Sequence, residues 1–318
     1  MATKKIIAVI GATGAQGGGL VRAILNDKEE TFHVRAITRN KNSDKAKMLA
    51  RQGADVVEAD VADKESLVRA FEGAYGAFCV TFFWDHFSVE KEMASARNMA
   101  DAAKEAGIQH LIWSTLEDTR NWVSLDDGRM PTLQGKYKVP HFDGKGESDQ
   151  YFVESGVPCT LLLTSFFWEN FIYFGSGPQE GPDGTLALTF PLGDAKLPGI
   201  ASGDIGKCAL GIYKAGKAYQ GEKVGISGEH LGGHEMAETF TRVLGRQVNY
   251  NAVTPEVYRG FDFPGADDLG NMFQFKAEFE NVFRAARDPE FARKLNPELL
   301  NFRRWLELHK EQIPLGHS

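Results

Sequence analysis

Long apolar runs are missing from this chain of 318 residues. No stretch approaches the roughly 20 apolar residues that a membrane-crossing helix needs, so no membrane association is expected. Ahead of Gly11 only residues 6–10 form an apolar run, too short for the core of a secretory signal. Cysteine is scarce: Cys79, Cys159 and Cys208 stand far apart inside apolar stretches and lack metal-ligand spacing. They are expected to be reduced and buried, as in a cytoplasmic protein, and no metal is expected. Positive charge is also in deficit, with 36 Lys and Arg against 43 Asp and Glu and a net charge of -7. A nucleic-acid-binding surface would call for clustered basic residues, and none occurs, so no direct contact with nucleic acid is expected. Lys41, Lys45, Lys47 and Arg51 alternate with polar residues and read as the solvated face of one helix. Internal repeats and low-complexity tracts are absent as well.

What is present is the composition of an ordinary globular protein, 42% apolar and 25% charged, at a length that suits one large domain or two closely joined ones. Residues 5–10 are almost all apolar and β-prone, as in a strand buried on both faces. Gly11, Gly14 and Gly17 follow, and then the helix-like run from Leu20 to Leu25. Strand, glycine turn and helix make the first half of a dinucleotide-binding unit. Glycine lets the backbone turn tightly and approach a pyrophosphate, whose charge the helix N-terminus then stabilises. The G-x-x-G-x-x-G spacing is weak by itself; its place directly after an N-terminal buried strand gives it force.

The rest of the chain repeats the alternation. Strands are expected at 33–38, 55–58, 76–80, 110–114 and 160–163, with helices at 44–52, 64–71, 89–105 and about 145–155, a sheet of six parallel strands. Asp63 is placed to cap the helix that starts at Lys64, and Met93, Ala96, Met99, Ala100 and Ala103 read as the stripe by which the helix at 89–105 packs on the sheet. Arg39 and Asn40 stand at the tip of strand two, where an acid would select NAD and an arginine can pair with the 2′-phosphate of NADP. The sequence therefore points to NADP(H) over NAD(H). At the end of strand three Asp60 can accept from the adenine amino group and Val61 can cover the ring. At the end of strand four Thr81, Phe82 and Phe83 fall beside the nicotinamide half, where the aromatics either line the pocket or fill the core. Beyond Leu163 the rhythm changes: residues 175–192 read as loops and short strands, followed by a helix start at Asp204 and a strand near 223–227. A helix at 234–244 and a strand at 247–253 come next, and Asp288-Pro289 and Asn296-Pro297 read as helix starts. The fold class is α/β, a Rossmann-type doubly wound parallel sheet with a smaller C-terminal α+β lobe. The division is expected after residue 165, with residues 166–318 over the cofactor cleft and the chain interleaving.

Short-chain dehydrogenase chemistry uses a serine, a tyrosine as acid or base, and a lysine four residues on. Ser114, beside Thr115, ends strand five where that serine belongs. The four-residue pair is His141 and Lys145, so histidine holds the tyrosine position. Histidine can act as an acid or base, and a purely structural His141 is equally open; Lys145 has a ribose-binding role.

These segments together resemble the NmrA-like family of atypical short-chain dehydrogenase/reductases, closest to its NADPH-sensor branch. The resemblance rests on residues 11–18, 34–40 and 141–147. Phe263-Pro264-Gly265-Ala266, Asp268-Leu269, Asn271-Met272-Phe273, Leu295-Asn296-Pro297 and Trp305-Leu306-Glu307 extend it over essentially the whole chain. It implies NADP(H) binding by Gly11, Ala12, Thr13, Gly14, Ala15, Gln16, Arg39, Asp60, Val61, Thr81, Phe82, Phe83 and Lys145. Phe167, Trp168, Glu169 and Asn170 would fold over the nicotinamide. It further implies a redox sensor or regulator with little or no turnover, in line with the missing tyrosine. The alternative is an NADPH-dependent reductase of a small planar or phenolic substrate, with Lys145, His141 and Ser114 as its catalytic groups. A regulatory protein partner, a homodimer, and a cytoplasmic location that extends to the nucleus in a eukaryote are all compatible with the family.

Overall fold

The structure, a computed structural model, describes residues 4–181 and 183–315; residues 1–3 of the N-terminal stretch considered above lie outside them. The chain begins with β1 (Lys5–Val9), α1 (Ala15–Leu25), β2 (Phe32–Thr38), α2 (Asp44–Arg51), β3 (Asp55–Glu58), α3 (Lys64–Phe71) and β4 (Gly76–Cys79). It continues through α4 (Val89–Glu105), β5 (His110–Thr115), α5 (Pro140–Glu154), β6 (Cys159–Leu163), β7 (Phe166–Phe167), α6 (Asn170–Tyr173), β8 (Gln179–Glu180), β9 (Leu186–Phe190) and β10 (Leu197–Ile200). Then come α7 (Ser202–Lys214), β11 (Lys223–Gly225), β12 (Glu229–Leu231), α8 (Gly233–Leu244), β13 (Val248–Ala252), α9 (Pro255–Arg259) and α10 (Ala266–Glu278). The last helices are α11 (Glu280–Ala285), α12 (Pro289–Leu295) and α13 (Phe302–His309).

Two compact units form, and the chain passes between them repeatedly. The first holds residues 1–118, 141–164 and 202–224. It is a Rossmann-type α/β unit on one sheet of order β11-β6-β5-β4-β1-β2-β3. Val9 pairs in parallel with Ala36 of β2 on one side and Phe78 of β4 on the other. Strand order reverses between β1 and β4, and in such sheets ligands bind outside the carboxyl ends of the strands at the reversal. Both faces are dry: Ile7, Ala8 and Val9 of β1 and Leu111, Ile112 and Trp113 of β5 are fully buried, as a helix-covered parallel sheet requires. Helix α1 packs on α7 and α3 on α4.

Three expectations change here. The sheet has a seventh strand, because β11 joins the edge of β6, with Leu161 N donating to Glu222 O at 2.9 Å. Helix α5 starts at Pro140 rather than near residue 145; proline suits a first helical turn, where its missing N–H has no partner to lose. Glu92, and not Met93, takes the buried place at the head of the α4 stripe, with Met93 only half-buried. As expected, Asp63 caps α3, accepting from Ser66 N.

The second unit holds residues 119–140, 165–201 and 225–318. It has two three-stranded sheets, β12-β10-β7 and β13-β9-β8, and an aromatic core. Phe171 meets Phe190, Phe240, Phe302 and Trp305, and Trp168 meets Phe302 and Trp305, with ring centroids 5.2–6.3 Å apart. Gly199 is forced by this core, since a Cβ there would stand 2.2 Å from Trp168 Nε1. The helix start expected at Asn296-Pro297 is a turn instead. Asn296 Oδ1 accepts from Glu298 N and its carbonyl from Leu299 N, and the final helix starts later, capped by Asn301. Both Asn296 bonds stay local, which is the competing use of asparagine in turns.

Candidate functional site

The glycine loop leaves β1 through Gly11, whose φ of +64° is a conformation that favours glycine. Gly14 N donates back to Gly11 O at 2.8 Å, which closes the turn, and Gly14 is then the cap of α1. A Cβ on Gly17 would lie 2.5 Å from the carbonyl oxygens of both Ile10 and Gly11. Only glycine lets α1 approach the strand this closely. The cap supplies no side-chain acceptor and the first turn of α1 carries no acid, so the helix itself sets no anion at its positive end. That cradle fits a pyrophosphate. Ala12 is buried and Thr13 half-buried, while Gln16 turns inward, its Oε1 accepting from Ser114 Oγ at 2.7 Å.

At the tip of β2 Arg39 is exposed and pairs with Asp85 at 3.1 Å, a contact of the kind worth at most about 1 kcal/mol. Asn40 Oδ1 accepts from Asn42 N at 2.9 Å. After β3, Asp60 Oδ1 accepts from Ala62 N, and Asn98 Nδ2 donates to Val61 O; both residues therefore sit in a pinned turn with Asp60 exposed. After β4, Thr81 and Phe83 are buried and Phe82 is 53% exposed.

Lys145 is buried. Its Nζ donates to Thr81 Oγ1 at 2.5 Å and pairs with Glu92 Oε1 at 2.9 Å. Thr81 Oγ1 in turn donates to Glu92 Oε1. Sequence reading missed Glu92. The available signal was an acid on the buried stripe of α4, at a position one turn ahead of Ala96. Gly144 and Gly146 also acquire reasons. A Cβ on Gly144 would lie 2.8 Å from Val89 Cγ1, and one on Gly146 only 2.3 Å from Asp118 N. Glycine at both positions lets α5 close on α4 and on the chain after β5.

His141 is buried among rings, with Trp84 and Phe142 at 4.8 Å and Phe83 at 6.1 Å between centroids. Thr115 Oγ1 donates to Asp149 Oδ1 at 2.5 Å and Trp113 Nε1 to the same oxygen at 3.1 Å. Burial raises the Asp149 carboxyl pKa against the opposing pull of Thr115, Lys223 and Trp113. Cys79, Cys159 and Cys208 are buried, and burial raises all three thiols.

In the second unit Phe167 is half-buried and Asn170 opens α6. Trp168 belongs to the aromatic core, and Glu169 Oε1 accepts from Trp305 Nε1 at 3.2 Å. No helix among the described residues is long and apolar enough to cross a membrane.

Comparison with known proteins gives a consistent set of likenesses. The signature described as the NmrA-like family matches residues 3–306. The NmrA-like family domain-containing oxidoreductase FrzB of Cladobotryum sp is 31% identical over 294 residues, covering 85% of this chain and 83% of that protein. The negative transcriptional regulator NmrA in complex with NADP superposes with a TM-score of 0.77 at 26% identity, over 96% of this chain and 94% of that one. The same regulator in complex with NAD gives 0.79 at 25% identity, over 98% of each chain.

Proposed function

This chain belongs to the NmrA-like family, and from that premise we propose that it binds NADP(H) and serves as a redox sensor or regulator with little or no turnover. The dinucleotide lies across the reversal between β1 and β4. Its pyrophosphate sits on the loop from Gly11 to Gly17, its 2′-phosphate at Arg39 and its adenine by Asp60 and Val61. The nicotinamide half lies towards Thr81, Phe82, Phe83 and Lys145, and the family resemblance adds Phe167, Trp168, Glu169 and Asn170 to the cofactor's contacts. When bound, NADPH would supply a hydride.

One observation carries the regulator reading. Each group that would have to work on a substrate is engaged inside the protein: Ser114 on Gln16, Lys145 on Glu92 and Thr81, and His141 in a cluster of rings. The similarity to a regulator solved with bound NADP supports it. The cytoplasmic location and a regulatory protein partner belong to the same reading, and a homodimer is compatible with it.

A reductase is the second reading. It is favoured by the partly open aromatic pair of Trp84 and Phe87, with Trp84 against His141, which suits a planar or phenolic substrate, and by the similarity to a protein named an oxidoreductase.

Calorimetric titration with NADP+, NADPH, NAD+ and NADH tests the cofactor assignment, and an NADPH-consumption screen on the same sample tests the rest. Tighter binding of NADP(H) is expected, and Arg39→Ala should remove most of that preference, roughly tenfold or more for one charge-assisted contact. Equal affinity for both cofactors in the unaltered protein would overturn the role of Arg39. Rapid, substrate-dependent NADPH consumption would replace the regulator reading with the second one.

A further inference from the structure

Glu92 is fully buried, and its two oxygens are treated differently. Oε1 receives both Lys145 Nζ and Thr81 Oγ1. Oε2 has no hydrogen-bond partner among the described residues. His86 Nε2 stands 3.7 Å from it, beyond hydrogen-bond reach. His86 Nδ1 accepts from Ser88 N at 3.1 Å, so the ring proton lies on Nε2 and faces that oxygen. On the other side, Lys145 Nζ stands 5.2 Å from the centre of the Trp113 ring.

Stability does not account for this pair. Two charges removed from water recover about what desolvation costs them, and apolar side chains of the same volume would pack there as well. A half-satisfied carboxylate is worse still. The pair does, however, set the local charge directly after β4, where Lys145 alone would leave an unbalanced cation.

That charge matters for one property of the ligand class. Oxidised nicotinamide carries a positive charge and reduced nicotinamide carries none. A fixed charge nearby therefore separates the two forms, while contacts to the adenosine half treat them alike. We propose that Glu92 determines this protein's preference between NADP+ and NADPH, by cancelling the Lys145 charge beside the nicotinamide end of the cofactor. The inference rests on the cofactor reading above and extends it to the basis of redox discrimination.

Glu92→Gln keeps the shape and an acceptor for Lys145 but leaves a net positive charge. At an effective dielectric near 20, a unit charge about 10 Å away changes binding roughly tenfold or more. Titration of NADP+ and NADPH against the purified full chain at neutral pH is the test. The NADP+ to NADPH affinity ratio should fall about tenfold in Glu92→Gln. In the charge-balanced double variant Glu92→Gln/Lys145→Gln it should return close to the wild-type ratio, even where both affinities weaken. If the single variant fails to fold, Lys145→Gln takes its place: it leaves the Glu92 charge uncancelled, so the ratio should move about tenfold towards NADP+, and an unchanged ratio there would overturn the inference. An unchanged ratio in a folded, cofactor-binding Glu92→Gln protein would overturn the inference, as would a double variant shifted as far towards NADPH. If the unaltered protein binds no dinucleotide, the cofactor reading fails first and this inference with it.

Discussion

The His110 ring is fully buried at the start of β5, and its partners fix its tautomer. Thr160 Oγ1 donates to Tyr219 O at 2.6 Å, so the 3.0 Å contact between His110 Nε2 and Thr160 Oγ1 must carry the ring's proton. Nδ1 is left a bare acceptor with no partner among the described residues. Protonating it would bury an unpartnered cation, and burial accordingly pulls the imidazole down to about 4, below the value near 6.5 of an exposed ring. Between those values the unfolded chain binds more protons than the folded one. Stability from this group is thus complete above about pH 6.5 and falls as the pH drops towards about 4. Urea unfolding across that range should show the decline, and His110→Gln should flatten part of it by removing the basic nitrogen. An identical slope in the two proteins would contradict the assignment.

Residues that act through backbone geometry or through position at a strand end were legible in the sequence. Gly11, Gly14, Gly17 and the Asp63 cap belong to this group. Glu92 was hidden because pattern reading assigns stripe positions to packing. Its meaning comes only from Lys145, which lies 53 residues further along the sequence (145 − 92).

At the scale of elements, the α1–α7 contact shows what periodicity leaves out. A Cβ on Gly206 of α7 would lie 2.1 Å from Leu20 N, and one on Gly19 of α1 would lie 3.2 Å from the Gly203 backbone. The two helices therefore meet backbone to backbone, and no flexible side chain can yield. Gly206→Ala should cost about 1–3 kcal/mol or more. Gly203→Ala, in the same helix with nothing within 4 Å of its Cβ, should be close to neutral. Thermal unfolding of the pair separates this account from a general helix effect; equal losses would refute it. The strands and most helices of the first unit followed from alternation and caps, because a two-sided buried sheet writes its strands as apolar runs. The strand expected near residues 223–227 is present as β11, but its place at the edge of this sheet did not follow. It is three residues long, and its membership depends on Gly221 and Glu222 bonding to β6, a long-range fact with no local mark. The α5 start was masked by the Lys145 motif, which drew the helix start towards itself although Pro140 carried the signal.

At the scale of the whole molecule, neither unit is one continuous stretch of chain. Residues 202–224 return to the first unit after the second has begun, and residues 119–140 leave it for the second. Cutting after residue 165 therefore removes α7, which covers the glycine face of α1 and holds Asp27 through Lys214 at 2.7 Å. It also strips β11 from β6 and exposes an unpaired sheet edge, a site for aggregation. A fragment of residues 1–165 would in addition carry residues 119–140 without the unit in which Asn271 Nδ2 ties down the carbonyls of Pro131 and Lys138. We expect that fragment to be aggregated or to lack cooperative unfolding. Joining residues 202–224 to it through a flexible linker, with a short linker in place of residues 119–140, should recover a folded, monodisperse species. Gel filtration and thermal melts of the two fragments decide the matter. A sharp, cooperative transition in residues 1–165 alone would show that the sheet does not need the returning segment, and that a simple linear division of the chain is physically sufficient.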